Sequence, residues 1–213
     1  MPWDSHLAVS KTIEFITNRG MVHIRSYCPP DFLGSLEFDE GIGVFPGYRS
    51  MIRDIQGLVE VARDRNSNVV IAYAGGRIVG YIAFSNPSPL GRWGRGGGGV
   101  LYELGAIEVS RGWRLFDIAS EMARLALDND FLEDKIVFYT GFSWHWDLEW
   151  SGLSKLQYRK MVVKLFQPHG FKLYYTTEPN INLDFANIFM ARIGSRVSEE
   201  ERERFMEMLL GED

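Results

Sequence analysis

The chain has 213 residues, 23 Lys plus Arg against 28 Asp plus Glu, a formal charge of −5 and 46% hydrophobic residues. That is the composition of a folded globular protein, no window approaches the ~18 apolar residues that span a bilayer, and the mild acidity argues against a nucleic-acid binder. A single cysteine, Cys28, excludes a disulfide framework and any multi-cysteine metal site, and reads as a small buried hydrophobe.

In chain order, the start MPWDSHLAVSK lacks a basic segment followed by an apolar core. No signal peptide is expected, and the reading is a soluble, cytoplasmic chain without membrane or nucleic-acid partners. The length suits one domain over 1–213, with 1–20 as a candidate ordered extension and 195–213 as a C-terminal helix. Met21–Tyr27 reads as a short strand. Over Pro46–Ala62, residues Met51, Ile52, Ile55, Leu58, Val59 and Ala62 recur at helical spacing and predict a helix. Asn68–Tyr73 and Arg77–Phe84 are β-rich runs joined by Ala74-Gly75-Gly76, a hairpin signal. Gly91–Gly99 (GRWGRGGGG) holds six of the 22 glycines. A phosphate cradle would need a helix after it, but a strand-like run follows, so a flexible hairpin loop is expected.

Leu101–Val109 reads as a strand and Leu115–Leu127 as an amphipathic helix, with Ile118, Ala119, Met122, Leu125 and Ala126 on one stripe. Lys135–Thr140 is a strand with few polar residues, as expected if both faces are covered. Ser154–Phe166 reads as a helix with Tyr158, Met161, Val162 and Leu165 inward, opened by the capping-box pair Ser154 and Gln157. Phe171–Thr176 and Ile188–Ile193 are two more strands, and Ser198 with Glu201 caps a last helix ending near Leu210. This order implies an α/β (α+β) chain with a mixed sheet and helices on both faces.

The stretch most informative about chemistry is Leu101–Ala119, strand then loop then helix. Period two sets Leu101, Glu103, Gly105, Ile107 and Val109 on one face. The helix start offers unpaired N–H groups and the positive end of a dipole, an anion site suited to pyrophosphate, with Arg111 and Arg114 adding charge.

Arg114 to Ala119 (RLFDIA) resembles the pyrophosphate loop of the GNAT superfamily of N-acetyltransferases, which reads Gln or Arg, two residues, Gly, one residue, then Gly or Ala. Asp117 stands where that family has glycine. The resemblance implies a mostly antiparallel sheet splayed at its centre, with acetyl-CoA as co-substrate and no metal. It implies that the backbone of Ile107, Glu108 and Val109 pairs with the pantetheine arm. Arg114, Leu115, Phe116, Asp117, Ile118, Ala119 and Ser120 would hold the pyrophosphate. Glu103, eleven residues before Arg114, falls at the offset of the catalytic glutamate in protein-lysine acetyltransferases of the superfamily.

Five further runs are similar to the AcuA family of acetoin-utilisation acetyltransferases. They are YIAFSNPSPLGRW (Tyr81–Trp93), ELGAIEV (Glu103–Val109), WHWDL (Trp144–Leu148), GLS with YRKM (Gly152–Ser154, Tyr158–Met161) and ANIFMARIGSRVSEE (Ala186–Glu200). The first 45 residues match loosely. This similarity implies an enzyme that acetylates a lysine of AMP-forming acetyl-CoA synthetase and switches it off, with that synthetase as partner.

Glu103 is the leading general base, because a lysine amine of pKa ~10.4 must lose a proton before it attacks a thioester. The bland alternative is a surface or capping glutamate. Glu108, on the opposite strand face, suits a structural hydrogen bond, with only its backbone near cofactor. Three of the six tryptophans, Trp144, Trp146 and Trp150, cluster just past a core strand. There His145 could shuttle a proton with Asp147 orienting it, or form a structural corner, while Trp144, Trp146 and Asp147 suit substrate recognition. The four histidines are not paired at metal-ligand spacing. Many superfamily members place a tyrosine acid four residues before the Gly-Phe that opens the next strand. Here Gly170-Phe171 puts Phe166 at that position, and Tyr158 is the substitute. Two alternatives follow: a catalytically weak binding module, motivated by Asp117 and Phe166, and a small-molecule amine acetyltransferase.

Overall fold

The computed structural model describes residues 10–44, 52, 54–96 and 99–211. In chain order it has strands β1 (Thr12–Thr17) and β2 (Gly20–Arg25), helix α1 (Pro30–Gly34), strand β3 (Glu37–Phe38) and helix α2 (Ile55–Arg63). Strands β4 (Asn68–Ala74) and β5 (Arg77–Ser85), helix α3 (Arg92–Gly96), strand β6 (Leu101–Val109) and helix α4 (Ile118–Leu127) follow. The second half contains strand β7 (Ile136–Gly141) and helices α5 (Leu148–Ser151) and α6 (Lys155–Phe166). Strand β8 (Lys172–Leu173), helix α7 (Pro179–Asn182), strand β9 (Ile188–Ile193) and helix α8 (Glu199–Leu210) complete it. The chain divides into two compact units, Met1–Ser85 with Ala106–Phe131 and Asn86–Gly105 with Leu132–Asp213.

In the first unit β1, β2, β4 and β5 pair antiparallel in that order, and β3 adds parallel to β5. Gly75 and Gly76, at φ +55° and +80°, make the tight turn between β4 and β5 that the Ala74-Gly75-Gly76 signal predicts. One face carries α1 and α2: Leu33, Leu58 and Val59 pack with Ile71, Ile78 and Tyr81. The other carries α4. A Cβ added at Gly80 would meet Met122 Cε at 3.0 Å and Val109 Cγ2 at 3.3 Å, so this glycine lets helix and strand approach closely.

In the second unit β7 pairs parallel with β6 and antiparallel with β9, which pairs antiparallel with β8. Successive β7 residues face opposite sides. Phe138 packs towards α8, with Trp93, Phe189 and Phe205, while Tyr139 packs against Phe166 of α6 at 5.1 Å between ring centres. Burying such a ring fully contributes roughly 1.5–3 kcal/mol. Helices thus cover both faces within each unit, and the sheets are mixed and mostly antiparallel, as expected.

Several expectations are corrected. The predicted first strand begins earlier, at Gly20, and is preceded by β1, a half-exposed edge strand without an apolar run. The predicted Pro46–Ala62 helix is described only from Ile55, where Asp54 caps it by accepting from Gly57 N at 3.1 Å; residues 45–51 and 53 lie outside the described residues. The start of the glycine-rich loop is not an open hairpin. It forms α3 because Trp93 is drawn into the core, stacked on Phe189 at 4.7 Å; Gly97 and Gly98 lie outside the described residues. In α6 the inward stripe is Val162 and Phe166, and Met161 is 45% exposed. The large Phe166 ring sets the helix phase one position away from Leu165. The predicted Phe171–Thr176 strand shrinks to β8, because Thr176 Oγ1 and Thr177 N donate to Leu209 O, drawing the chain to the end of α8. Both capping boxes form, at Ser154 with Gln157 and at Ser198 with Glu201. Of the 1–20 segment, residues 1–9 lie outside the described residues and Thr12–Thr17 is β1; residues 212–213 past α8 also lie outside.

Candidate active site

The candidate residues divide between the two units. In the first, the end of β6 runs into a loop and then α4. Arg114 folds back so that its Nε donates to Val109 O at 2.9 Å. Leu115 and Asp117 take φ +69° and +59°, so the predicted helix cannot start at Leu115 and begins instead at Ile118. Asp117 is its N-cap in the left-handed region, which Asp tolerates better than most side chains. Its carboxylate makes no capping hydrogen bond and is exposed. The glycine expected there by resemblance is therefore replaced by a residue that still adopts a glycine-like backbone. The first-turn N–H groups of Ile118, Ala119 and Ser120 receive no side-chain cap from Asp117. This is chemistry suited to an anion. Leu115 is 93% exposed and Phe116 half-buried.

Ile107 and Val109 are half-buried in β6. Glu108 uses its side chain within the fold: Gly43 N donates to Oε1 at 2.8 Å and Tyr81 OH to Oε2 at 3.0 Å. Two residues the sequence reading missed stand beside it. Ser110, fully buried, donates from N to Val79 O at 2.8 Å and from Oγ to Asp39. Burial alone would raise the Asp39 pKa. Hydrogen bonds from Ser110, Gly41 N–H and Trp113, with the Arg77 charge, outweigh it and hold the carboxyl below its ordinary value. A turn signal (Asp39-Glu40-Gly41) marked Asp39 in the sequence; its partner lies 71 residues away.

In the second unit Glu103 pairs in register with Phe138. It is half-buried and, among the described residues, makes no hydrogen bond or ion pair; burial pushes its pKa above the ordinary carboxylate value. Beyond β7, Trp144 stacks on Phe142 at 4.9 Å and is 42% exposed, with His145 set edge-on to both rings. Burial lowers the His145 pKa, favouring the neutral imidazole. Asp147 is buried and caps α5, accepting from Trp150 N at 3.4 Å. Trp146 is 4% exposed and stacks on Tyr158 at 5.2 Å, interplanar angle 14°. Trp146 therefore presents almost no surface of its own for the direct recognition expected of it, and its more exposed neighbour in the stack is Tyr158. Phe166, at the position of the missing acid, is fully buried against Tyr139 and Phe171. Of the nearby phenols, Tyr139 packs on Phe166, and Tyr158 neighbours Tyr139: burial raises the Tyr139 pKa strongly, Tyr158 raises it further, and the Trp146 indole offsets part of this.

The Ser143–His145 turn is pinned by residues the sequence reading also missed. Ser143 N donates to Asn187 Oδ1 at 2.7 Å and Ser143 Oγ to Asp184 Oδ2 at 2.8 Å. Asp184 also pairs with Lys155. That lysine first, then the Ala186 N–H, bring the Asp184 pKa down to about 2. Among the described residues no group of three His, Cys, Asp or Glu could hold a metal ion, and no helix is long and apolar enough to cross a membrane.

No protein-family model matches the chain. The chain is 34% identical over 192 residues to the acetoin utilization protein AcuA of Bacillus licheniformis, covering 90% of each. It superposes on the crystal structure of an acetoin utilization protein from Exiguobacterium sibiricum with a TM-score of 0.88 and 30% identity, over 95% of each chain. An acetyltransferase of the GNAT family from Streptococcus pneumoniae shares the fold, with a TM-score of 0.54 and 13% identity over 80% of this chain and 98% of the other.

Proposed function

The chain belongs to the AcuA family of acetoin utilization proteins and has the GNAT acetyltransferase fold, and on that premise we propose that it transfers the acetyl group of acetyl-CoA to a lysine ε-amine of a protein. The acceptor proposed is AMP-forming acetyl-CoA synthetase, as a regulatory switch in acetoin and acetate metabolism in the cytoplasm. The observation that carries the reading is Glu103, a half-buried carboxylate with a raised pKa at the last β6 residue paired with β7. A base of raised pKa is better matched to a proton leaving an ammonium than an exposed glutamate is.

In the proposed reaction the α4 N-terminus and Arg114 hold the pyrophosphate, and the backbone of Ile107, Glu108 and Val109 aligns the pantetheine. Glu103 takes the amine proton, directly or through water. The neutral amine attacks the thioester carbonyl, whose developing oxyanion a β6 N–H near Ile107 or Val109 stabilises by ~3 kcal/mol, as such donors do elsewhere. The C–S bond breaks and the thiolate takes a proton from Tyr158 or water. His145 and Trp144 border the acceptor's approach.

Mass spectrometry of acetyl-CoA synthetase after incubation with this protein and acetyl-CoA tests the proposal. One acetylated lysine, absent without the protein, supports it; an unmodified synthetase sinks it. Buried Phe166 in place of an acid favours a second reading, a weakly catalytic binding module. Calorimetry separates the two: tight synthetase binding with no acetyl-CoA heat would identify the module. Transfer to a small amine but not to the synthetase would instead identify a small-molecule acetyltransferase.

A further inference from the structure

The loop that enters α4 holds two non-glycine residues in the left-handed region, Leu115 at φ +69° and Asp117 at φ +59°. That backbone is unfavourable for any residue with a Cβ, and most of all for one such as Leu whose side chain cannot hydrogen-bond locally. Local bonding does not offset the cost: Leu115 is 93% exposed, and the Asp117 carboxylate makes no capping bond. Such a conformation persists where contacts from elsewhere in the fold enforce it.

Those contacts converge on Arg111–Trp113, the turn just before Arg114. Arg111 N donates to Gly41 O at 3.2 Å and Trp113 N to Ser110 O at 2.8 Å. From another direction comes Arg19, at the tip of the β1–β2 hairpin and 93 residues away in sequence. Thr17 pairs with Gly20, so Asn18-Arg19 is a two-residue turn. Thr17 Oγ1 accepts from Arg19 N at 3.1 Å and donates to Gly20 O at 2.9 Å, which fixes that turn. The Arg19 guanidinium then reaches the loop: Nη1 donates to Gly112 O, and Cζ sits 5.0 Å from the centre of the Trp113 ring. A Cβ at Gly112 would come within 2.8 Å of that Nη1, so the close approach depends on the glycine. A planar guanidinium bonds a carbonyl and lies against an indole at the same time; a lysine ammonium has no such plane.

We propose that Arg19 is a positioning residue for acetyl-CoA: by clamping Gly112 and Trp113 it keeps the Arg114–Ser120 loop in the left-handed form that presents the α4 N–H groups. This rests on the pyrophosphate site proposed above. Arg19 holds the loop, and the loop holds the phosphates. A loop that spends part of its time outside the competent form lowers the apparent affinity by that fraction, and saturating acetyl-CoA restores it. Loss of the clamp therefore raises KM and leaves kcat in place. A direct contact between residue 19 and phosphate would instead be met by any cation there.

The test takes the full-length chain with Arg19→Ala, Arg19→Lys, Leu115→Gly and the Arg19→Ala/Leu115→Gly double variant, each checked as folded by thermal melting. Calorimetry reads acetyl-CoA affinity, and steady-state transfer to acetyl-CoA synthetase reads kcat and the acetyl-CoA KM. Amide hydrogen exchange is read at Trp113 and Glu121, whose N–H groups bond Ser110 O and Asp117 O. Arg19→Ala should weaken acetyl-CoA binding and raise its KM about fivefold, the scale of one exposed cation–π contact with its hydrogen bond, with kcat within about twofold. Exchange at both amides should accelerate. Arg19→Lys should stay near Arg19→Ala. Leu115→Gly relieves the left-handed backbone, so in that background removal of Arg19 should cost less than about twofold. Full recovery by Arg19→Lys overturns the clamp in favour of simple charge attraction. Unchanged affinity, a kcat that falls as far as KM rises, or an equal cost in both backgrounds also overturns it. If acetyl-CoA binds but the synthetase stays unmodified, the function proposed above fails, and calorimetry with exchange still decides the clamp. An unaltered chain that does not bind acetyl-CoA overturns the pyrophosphate site and the role of Arg19 with it.

Discussion

Glu103 stands opposite Phe138 in the β6–β7 register, and it is the last residue of β6 paired to that strand, although β6 runs on to Val109 and β7 to Gly141. A strand end that stops pairing leaves backbone groups available to something else. The carboxylate at that point is half-buried, and no described hydrogen bond or ion pair consumes it.

Glu103→Gln should lower kcat for lysine acetylation about 10²–10³-fold, the usual contribution of a positioned base. The sign of the pH effect follows from burial. A carboxyl with a raised pKa is protonated, and useless as a base, to a higher pH than an ordinary glutamate. The rate of the unaltered enzyme should therefore rise as pH climbs through that raised value. The Gln variant should lose this limb and follow only deprotonation of the amine. Full activity in the variant at neutral pH removes Glu103 from the mechanism.

Asp117 holds a left-handed backbone at φ +59° and presents an exposed carboxylate where anion binding is proposed. Asp117→Gly keeps the backbone geometry and removes the repulsion, so the KM for acetyl-CoA should fall about threefold, the scale of one exposed charge pair. Asp117→Ala removes the charge but strains the turn by roughly 1–2 kcal/mol. It should melt earlier than the glycine variant. A KM unchanged in both would mean that the carboxylate points away from bound phosphate.

Tyr158 lies flat on Trp146, so Tyr158→Phe preserves the stack and removes only the hydroxyl. If that hydroxyl protonates the departing thiolate, kcat should fall about tenfold at an unchanged acceptor KM. The drop is smaller than for many acids because a thiolate already leaves readily. Steady-state kinetics against both substrates reads the split, and an unaltered kcat assigns the proton to water.

The parts of this architecture visible in sequence are those fixed by local pattern. Runs of β-rich and apolar residues located β4 to β7 and β9, and the Ser-x-x-Gln and Ser-x-x-Glu boxes located the starts of α6 and α8. What stayed hidden depends on distant partners. Nothing near Asp39 announces Ser110, 71 residues on, and nothing near Ser143 announces Asp184 or Asn187. The glycine count pointed to Gly91–Gly99, yet Trp93 turns the start of that segment into core packing. The proposed phosphate loop has no glycine, because Asp117 adopts the conformation glycine would supply. Composition records residue types, while the backbone requirement is met by any side chain the surroundings can hold there.

The pairing of Glu133 with Arg192 and Ser195 ties the start of β7 to the end of β9. The Ser195 N–H, at 2.8 Å, is the first cause of a Glu133 pKa lowered to about 2, joined by the Ser195 hydroxyl and by Arg192 against a smaller opposing effect of burial. A folded pKa below the unfolded value of ~4.3 stabilises the fold above that value, and the contribution is lost as pH falls towards the folded pKa. Glu133→Gln should therefore melt below the unaltered chain at pH 7, by a modest margin because the pair is partly open to solvent. The margin should close as pH falls from ~4.3 towards about 2, where both chains carry a neutral group at this position. Thermal melts at four or five pH values across that window decide it. A margin that persists undiminished at the acid end would mean that Glu133 stabilises the β7–β9 junction by shape and neutral hydrogen bonding, not by its charge.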